Sequence, residues 1–147
     1  MKKTYLVMMS VLIISGALLA ACAGNASASV VGDWRLVSYG SPGSPMPAAP
    51  DVDTSIVFGG DGKVNGNVGC NGFGGDYTVK GNTITFGQLV STLMFCEGPV
   101  GDQETTTLNV FAGITTFVMD GDTLTITSED GSAVVVLARK SSYPSYP

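Results

Sequence analysis

Three cysteines and no histidine define the chemistry open to this 147-residue chain. Without imidazole there is no Ser-His-Asp or Cys-His nucleophile activation, no His-ligated metal and no ordinary proton shuttle at neutral pH. Cys22, Cys70 and Cys96 are the only thiols. They show no CxxC spacing and offer too few ligands for a zinc site, and a thiol with no His base is poorly equipped for covalent catalysis. The pairs Asp76 with Glu97 and Asp102 with Glu104 carry groups suited to acid–base work, yet no spacing singles out either. Asp120, Asp122, Glu129 and Asp130 fall in neighbouring turn-forming stretches, and clustered oxygens suit Ca²⁺. Their spacing is not that of an EF-hand loop, and solvated turn residues are the plainer reading. A formal net charge of -5 leaves nothing to neutralise phosphates, so no nucleic-acid partner is expected. The expectation is a protein that is not an enzyme and has no cofactor and no resident metal.

The start of the chain reads as an address. Lys2 and Lys3 precede an apolar stretch from Leu6 to Leu18, and Leu19-Ala20-Ala21 then lead with small residues into Cys22. This is the layout of a secretory signal, and its apolar core falls short of the ~20 residues of a comfortable bilayer span. The border at Cys22 resembles the lipobox of bacterial lipoproteins. That resemblance implies cleavage after residue 21 and a diacylglycerol thioether on Cys22, hence a membrane partner reached through lipid. Two or more acyl chains anchor a protein stably. Beyond the leader, five basic residues face twelve acidic ones, a balance of -7, so electrostatic adhesion to an anionic membrane is not expected. Residues 22–29 read as lipid anchor and flexible tether, 30–140 as one folded domain, and 141–147 (SSYPSYP) as an unpacked tail. The expected location is the cell envelope, with the choice of membrane open.

With Cys22 lipidated in an exported protein, Cys70 and Cys96 remain as a pair, and a disulfide is the natural outcome. It would close a loop of about 25 residues and contribute about 3–4 kcal/mol through the entropy of the unfolded chain. A reactive or redox-active pair and two unbonded buried thiols remain alternatives.

The elements that must position these residues are mostly strands. Period-2 alternation recurs over Asp33–Tyr39, Ser55–Phe58, Lys63–Val68, Tyr77–Lys80, Thr83–Phe86, Phe117–Met119 and Thr123–Thr127, and Ala133–Ala138 is a continuous apolar run that suits a strand covered on both faces. Gly59-Gly60-Asp61-Gly62, Lys80-Gly81-Asn82, Asp120-Gly121-Asp122 and Glu129-Asp130-Gly131 supply hairpin turn chemistry. Four prolines within Ser41–Pro50 exclude strand and helix and predict a surface loop. Val100–Phe111 lacks alternation; a short helix over Gln103–Ala112, capped by Asp102 and facing inward with Leu108 and Phe111, is predicted. The fold class expected is α+β, mostly antiparallel β, a curved sheet or partial barrel of about eight short strands with one packed helix.

Gly69-Cys70-Asn71-Gly72-Phe73-Gly74-Gly75-Asp76-Tyr77 resembles the GCNxFxGxY motif of the META domain, or heat-shock HslJ-like, family. Thr92-Leu93-Met94-Phe95-Cys96 resembles its TxMxC motif, with Phe95 where a small residue is usual. Trp34 in the first strand, Ile56, Phe58, Gly62 and Gly66, Glu104 before Leu108, and the TLTIT of Thr123–Thr127 follow in the family's order over about residues 32–139. The resemblance implies a curved antiparallel sheet or partial barrel with a packed helix. It also implies a frequent role as an envelope lipoprotein, with links in some members to heat shock, antibiotic tolerance or motility; no catalytic activity is settled for the family.

The motif residues also carry a physical reading. Gly69 and Gly72 permit unusual backbone conformations, Asn71 tolerates αL or bonds its own turn, and Gly74-Gly75 allow a bulge before Tyr77. Thr92, Met94 and Cys96 share one face of an extended segment. Together they describe a scaffold corner stapled by a disulfide. The function expected is a non-catalytic envelope lipoprotein, a binding or accessory module for an unidentified protein or small molecule that supports envelope integrity or stress tolerance. A protease-inhibitor-like use of the Ser41–Pro50 loop, small-ligand or metal binding, and a thiol-redox enzyme are the alternatives.

Overall fold

The structure, a computed structural model, describes residues 29–141. The leader, the lipidation of Cys22, residues 23–28 of the tether and residues 142–147 of the tail lie outside the described residues.

Ten strands form in the described region: β1 (Gly32–Gly40), β2 (Met46–Pro47), β3 (Ser55–Phe58), β4 (Lys63–Asn67), β5 (Gly72–Lys80), β6 (Thr83–Phe86), β7 (Val90–Ser91), β8 (Ile114–Asp120), β9 (Thr123–Thr127) and β10 (Val134–Arg139). One helix, α1 (Gly98–Val110), separates β7 from β8. All pairings are antiparallel, in the order β10-β9-β8-β6-β5-β4-β3-β1. The ring closes where β1 pairs with β10, from Trp34 opposite Arg139 to Gly40 opposite Val134. The result is an eight-stranded barrel, with β2 added beside β1 and β7 beside β5.

The alternation that predicts the strands is also what fills the barrel. Ile56 and Phe58, Val64, Phe73 and Tyr77, Ile84 and Phe86, Leu124 and Ile126, and Val135 and Leu137 all point inward and are buried. β1 breaks its own period: Trp34 and Leu36 face inward, and then Tyr39 does. A register irregularity between Leu36 and Ser38 makes this switch. The Thr54 hydroxyl accepts the Leu36 N–H at 2.8 Å beside the irregularity. The bulge expected at Gly74-Gly75 is absent, since β4 and β5 pair without interruption from Lys63–Asp76 to Asn67–Gly72.

The helix also differs from its prediction. It begins at Gly98, not Gln103, with Glu97 at the N-cap position and no side-chain cap. Asp102 is therefore not a cap but an exposed residue inside the helix. Pro99 explains the earlier start: its fixed φ suits a first turn whose N–H groups need no helical partner. The inward face is polar: Gln103, Glu104, Thr107 and Val110 are buried, whereas Leu108 is half-buried. Phe111, just past the helix, is fully buried and stacks on Phe86 with centroids 4.8 Å apart; Phe58 and Phe73 approach at 6.2 and 6.0 Å. These edge and stacked contacts join helix to barrel.

The prediction of no strand in Ser41–Pro50 is corrected by β2. Pro47 lies opposite Ser38, and the Ala48 N–H donates to the Val37 carbonyl at 2.8 Å. A two-residue outer strand tolerates a proline because its missing donor faces away from the ladder. The apolar run of β10 sits between β1 and β9 as a central strand, with Val134, Val135 and Leu137 buried and Val136 and Ala138 half-buried.

The barrel has two distinct ends. At one lie the end of β1, the β4–β5 turn and the starts of β8 and β10, and α1 packs there. At the other lie the start of β1 and the end of β10, so residues 29 and 141 leave the domain together. That second end is closed by Trp34, whose indole N–H donates to the Val30 carbonyl at 2.8 Å while the Arg139 guanidinium lies 4.2 Å from its ring centroid.

Phe111→Ala should cost about 3–5 kcal/mol in urea unfolding, whereas Leu93→Ala, at an exposed site, should stay within about 0.5 kcal/mol of wild type.

Candidate functional site

The two sequence motifs meet at the helix-covered end. Cys70 and Cys96 are joined as a disulfide with Cα atoms 6.3 Å apart. Asn71 sits beside them, buried, and uses every polar atom of its side chain. Its amide nitrogen donates to the Met94 carbonyl at 3.0 Å and to Glu104 Oε1 at 2.6 Å. Its Oδ1 accepts the Thr92 hydroxyl and the Met94 N–H, both at 2.8 Å. The Asn71 backbone N–H donates to Glu104 Oε2 at 2.7 Å. Asn71 thus ties the segment Thr92–Met94 to α1. Neither αL geometry nor a bond within its own turn is used: among the described residues positive φ is confined to glycines, and the Asn71 side chain bonds Thr92, Met94 and Glu104.

Glu104 and Gln103 are the functional positions that composition and periodicity miss. Gln103 is fully buried; its Nε2 donates to the Val68 carbonyl at 2.5 Å and its Oε1 accepts the Ala49 N–H at 2.7 Å. The second bond ties the end of the proline loop to α1. The signal was available in principle: two adjacent long polar residues that begin the inward face of a helix with few apolar residues.

The motif glycines work by closeness. Gly69 lacks positive φ, correcting its expected role, but a Cβ there would stand 2.5 Å from Glu104 Oε2 and 2.7 Å from Glu104 Cβ. Gly75 lies under the crossing of Gln88 and Leu89, where a Cβ would meet the Leu89 side chain at 2.6 Å. Gly72 has neither positive φ nor a close neighbour on its Cβ side. Phe73 and Tyr77 fill the barrel: the Tyr77 ring meets Phe58 edge-on at 5.0 Å and its hydroxyl donates to the Gly59 carbonyl at 2.7 Å. Burial, with the Asp61 charge adding, raises the Tyr77 phenol above its ordinary pKa.

Thr92, Met94 and Cys96 do not form one packed face. Thr92 and the Met94 backbone bond to Asn71, while the Met94 side chain is left outside. Around it a run of large apolar side chains is exposed: Val90 at 67%, Leu93 at 95%, Met94 at 60% and Phe95 at 87%. No residue from Gly87 to Cys96 is charged. The loop is nevertheless fixed at both ends, by β7 pairing with Phe73 and Gly74 and by the disulfide.

The carboxylates considered for acid–base work are separated by structure. Asp76 pairs with Lys63 at 2.5 Å on the outer face, and Glu97 is exposed before the helix. Asp102 and Glu104, two residues apart on α1, face solvent and interior respectively. The acidic turns are occupied locally: Asp122 pairs with Arg139 at 3.5 Å, and Asp130 Oδ1 accepts Ser128 Oγ, Ser132 N and Ser132 Oγ at 2.7, 3.0 and 2.8 Å. These bonds, the Ser128 hydroxyl foremost, lower the Asp130 pKa to about 2. Among the described residues, the one group of three potential metal ligands is Cys70, Cys96 and Glu104.

Comparison with protein families matches the META domain over residues 28–141. The chain belongs to the META domain family. No curated protein matches it. Among solved structures, a protein from Burkholderia xenovorans determined by NMR superposes with a TM-score of 0.61 at 21% identity, covering 75% of this chain and 82% of that one. A second NMR structure gives 0.55 at 20% identity over 71% and 86% of the two chains. The crystal structure of a DUF4847 family protein from Bacteroides vulgatus gives 0.53 at 16% identity over 74% and 92%. At these identities the likeness is one of fold. For this META domain the family motifs are thus the two sides of one joint, linked by Asn71 and Glu104.

Two measurements check this account. Asn71→Ala should destabilise the domain by about 1–3 kcal/mol, since it strands a buried carboxylate oxygen, and should speed hydrogen exchange at the Met94 amide while exchange in β9 and β10 stays slow. Asp130, depressed in the folded state, should add stability above the ordinary aspartate range and lose it as pH falls toward 2. Stability of wild type and Asp130→Asn should therefore differ at pH 6 and converge near pH 2.

Proposed function

We propose that this META domain is a non-catalytic, lipid-anchored envelope protein that presents the loop Val90–Phe95 to a protein partner. The observation that carries the reading is the exposure of Leu93, Met94 and Phe95 on a loop that is tied down. Large apolar side chains grouped on a surface mark interaction sites. A loop fixed by a disulfide, a short strand pair and the Asn71 bonds loses little further conformational entropy on binding.

The polarity of the barrel supports a protein over the bilayer as the occupant. The tether to Cys22 leaves at the end opposite α1, while the loop starts beside Phe73 and Gly74, near the α1 end. The barrel strands, four to nine residues long, keep those two ends apart by the length of the barrel wall. Acyl chains on Cys22 would keep the terminal end at the membrane and turn the loop outward. The proline loop, by contrast, is held against β1 and α1, which favours a structural over an inhibitory role. A part in envelope integrity or stress tolerance fits such an adaptor.

A photoreactive amino acid at position 95, in cells, should give one discrete protein adduct. Leu93→Asp should abolish it with the fold unchanged. Cys22→Ser should release the protein from membranes and weaken the adduct. Adducts spread over many proteins, or one indifferent to Leu93→Asp, would refute the docking surface; membrane retention of Cys22→Ser would refute the anchor.

A further inference from the structure

We propose that the Cys70–Cys96 joint, when reduced, is a zinc site completed by the Glu104 carboxylate. The two Sγ atoms and a Glu104 oxygen all lie within 4.8 Å of one another. Tetrahedral zinc holds sulfur at ~2.3 Å and carboxylate oxygen at about 2.0–2.2 Å, which sets neighbouring donors ~3.5–3.8 Å apart. The two sulfurs are close because they are bonded and must part by about 1.7 Å on reduction; the Glu104 oxygen is the donor whose closeness the bond does not impose.

A second, independent observation is the state of Glu104. It is only 9% exposed, and among the described residues neither lysine nor arginine forms an ion pair with it. Its two oxygens each accept one bond, both from Asn71, leaving a lone pair on each for another partner. After reduction, two thiolates beside this carboxylate would gather three negative groups, which a cation would relieve. The sulfurs select zinc over calcium or magnesium. The Asn71 amide bonds Glu104 Oε1 and lies 3.7 Å from Cys96 Sγ, so it orients the carboxylate, as groups behind metal ligands do. Gly69, with its missing Cβ, leaves Glu104 the room to lie there. Cys96 is half-buried beside the exposed loop, so water can complete the fourth position.

The chemistry balances with one reductant. A dithiol gives two electrons and two protons to the Cys70–Cys96 bond and becomes a disulfide itself. Zinc then displaces the two thiol protons to solvent and is not itself reduced. The joint is thus cross-linked in either state, by sulfur–sulfur or by sulfur–zinc–sulfur. The inference is independent of the docking reading, because its readouts are metal content and spectra, which the presence of a partner does not alter.

The full-length protein, reduced with a phosphine under nitrogen and dialysed against zinc, should retain one zinc per chain; the oxidised protein should retain none. Cobalt in place of zinc should give thiolate charge-transfer and tetrahedral d–d bands. Cys70→Ser should lose the metal, Cys22→Ser should bind as wild type, and Glu104→Gln should bind at least ten-fold more weakly. Retention of zinc at wild-type affinity by a folded Glu104→Gln overturns the site. Should that variant fail to fold, the cobalt spectrum of the reduced wild type decides: tetrahedral thiolate bands uphold the site and their absence overturns it.

Discussion

A carboxylate carried into a protein interior must find donors there, and Glu104 finds both of its own on Asn71. Much of the helix-covered end depends on this pairing. It fixes α1 against the β4–β5 turn through the backbone N–H of Asn71. Through the Asn71 side chain it also fixes the extended segment after β7, because Oδ1 and Nδ2 meet three separate groups on Thr92 and Met94 besides Glu104. One asparagine thus joins turn, loop and helix. A buried polar network of this kind is favourable only when every member is satisfied, which explains why the neighbouring glycine must be bare: a Cβ on Gly69 would occupy the space of the carboxylate.

The rest of the domain divides the work between its two ends. Aromatic packing around Phe111 holds the helix to the barrel interior. At the far end, Trp34 is held by its bond to Val30 and by the cation of Arg139, whose Nη1 also donates to the Val31 carbonyl at 3.1 Å. Tension applied at Ser29, where the described chain begins, would therefore meet Trp34 and the β1–β10 seam first. The disulfide joint lies beyond the length of the strands and is shielded from that load.

The barrel is legible in the sequence wherever burial follows a simple period. Ile56 and Phe58, Ile84 and Phe86, and Leu124 and Ile126 alternate in the chain and in the structure alike, and Gly81 and Gly121 turn with positive φ where the hairpin pattern asks for it. Legibility fails where tertiary contacts override local preference. The β1 irregularity leaves Trp34 and Leu36 in phase but moves Tyr39, and no residue type announces it. The helix starts early because Pro99 suits a first turn, and its inward face is polar because it meets a turn full of backbone groups. The cysteine pair stands out from its count, whereas for Glu104 the sequence offers a place in the family's order and a carboxylate near Asp102, and neither names its contacts. Its actual neighbours come from the two motifs, and pairing at such sequence distance leaves no local trace.

The position of the disulfide has a consequence for how its loss would be felt. A cross-link over a separation of 26 residues acts mainly on the unfolded chain, by removing its loop-closure entropy. In the folded state the same segment is already held by β7, by Asn71 and by the Pro99 carbonyl, which accepts the Tyr39 hydroxyl at 3.3 Å. Breaking the bond therefore lowers the stability of the whole domain while leaving most of the contacts that define the joint in place. The barrel core meets those contacts through two side-chain-bearing positions, Tyr39, whose hydroxyl bonds the Pro99 carbonyl, and Phe73, the motif residue whose strand pairs with β7. Loss of the bond would therefore loosen the Val90–Phe95 loop without requiring a different fold, because the strand pairing and the Asn71 bonds that position it do not pass through sulfur.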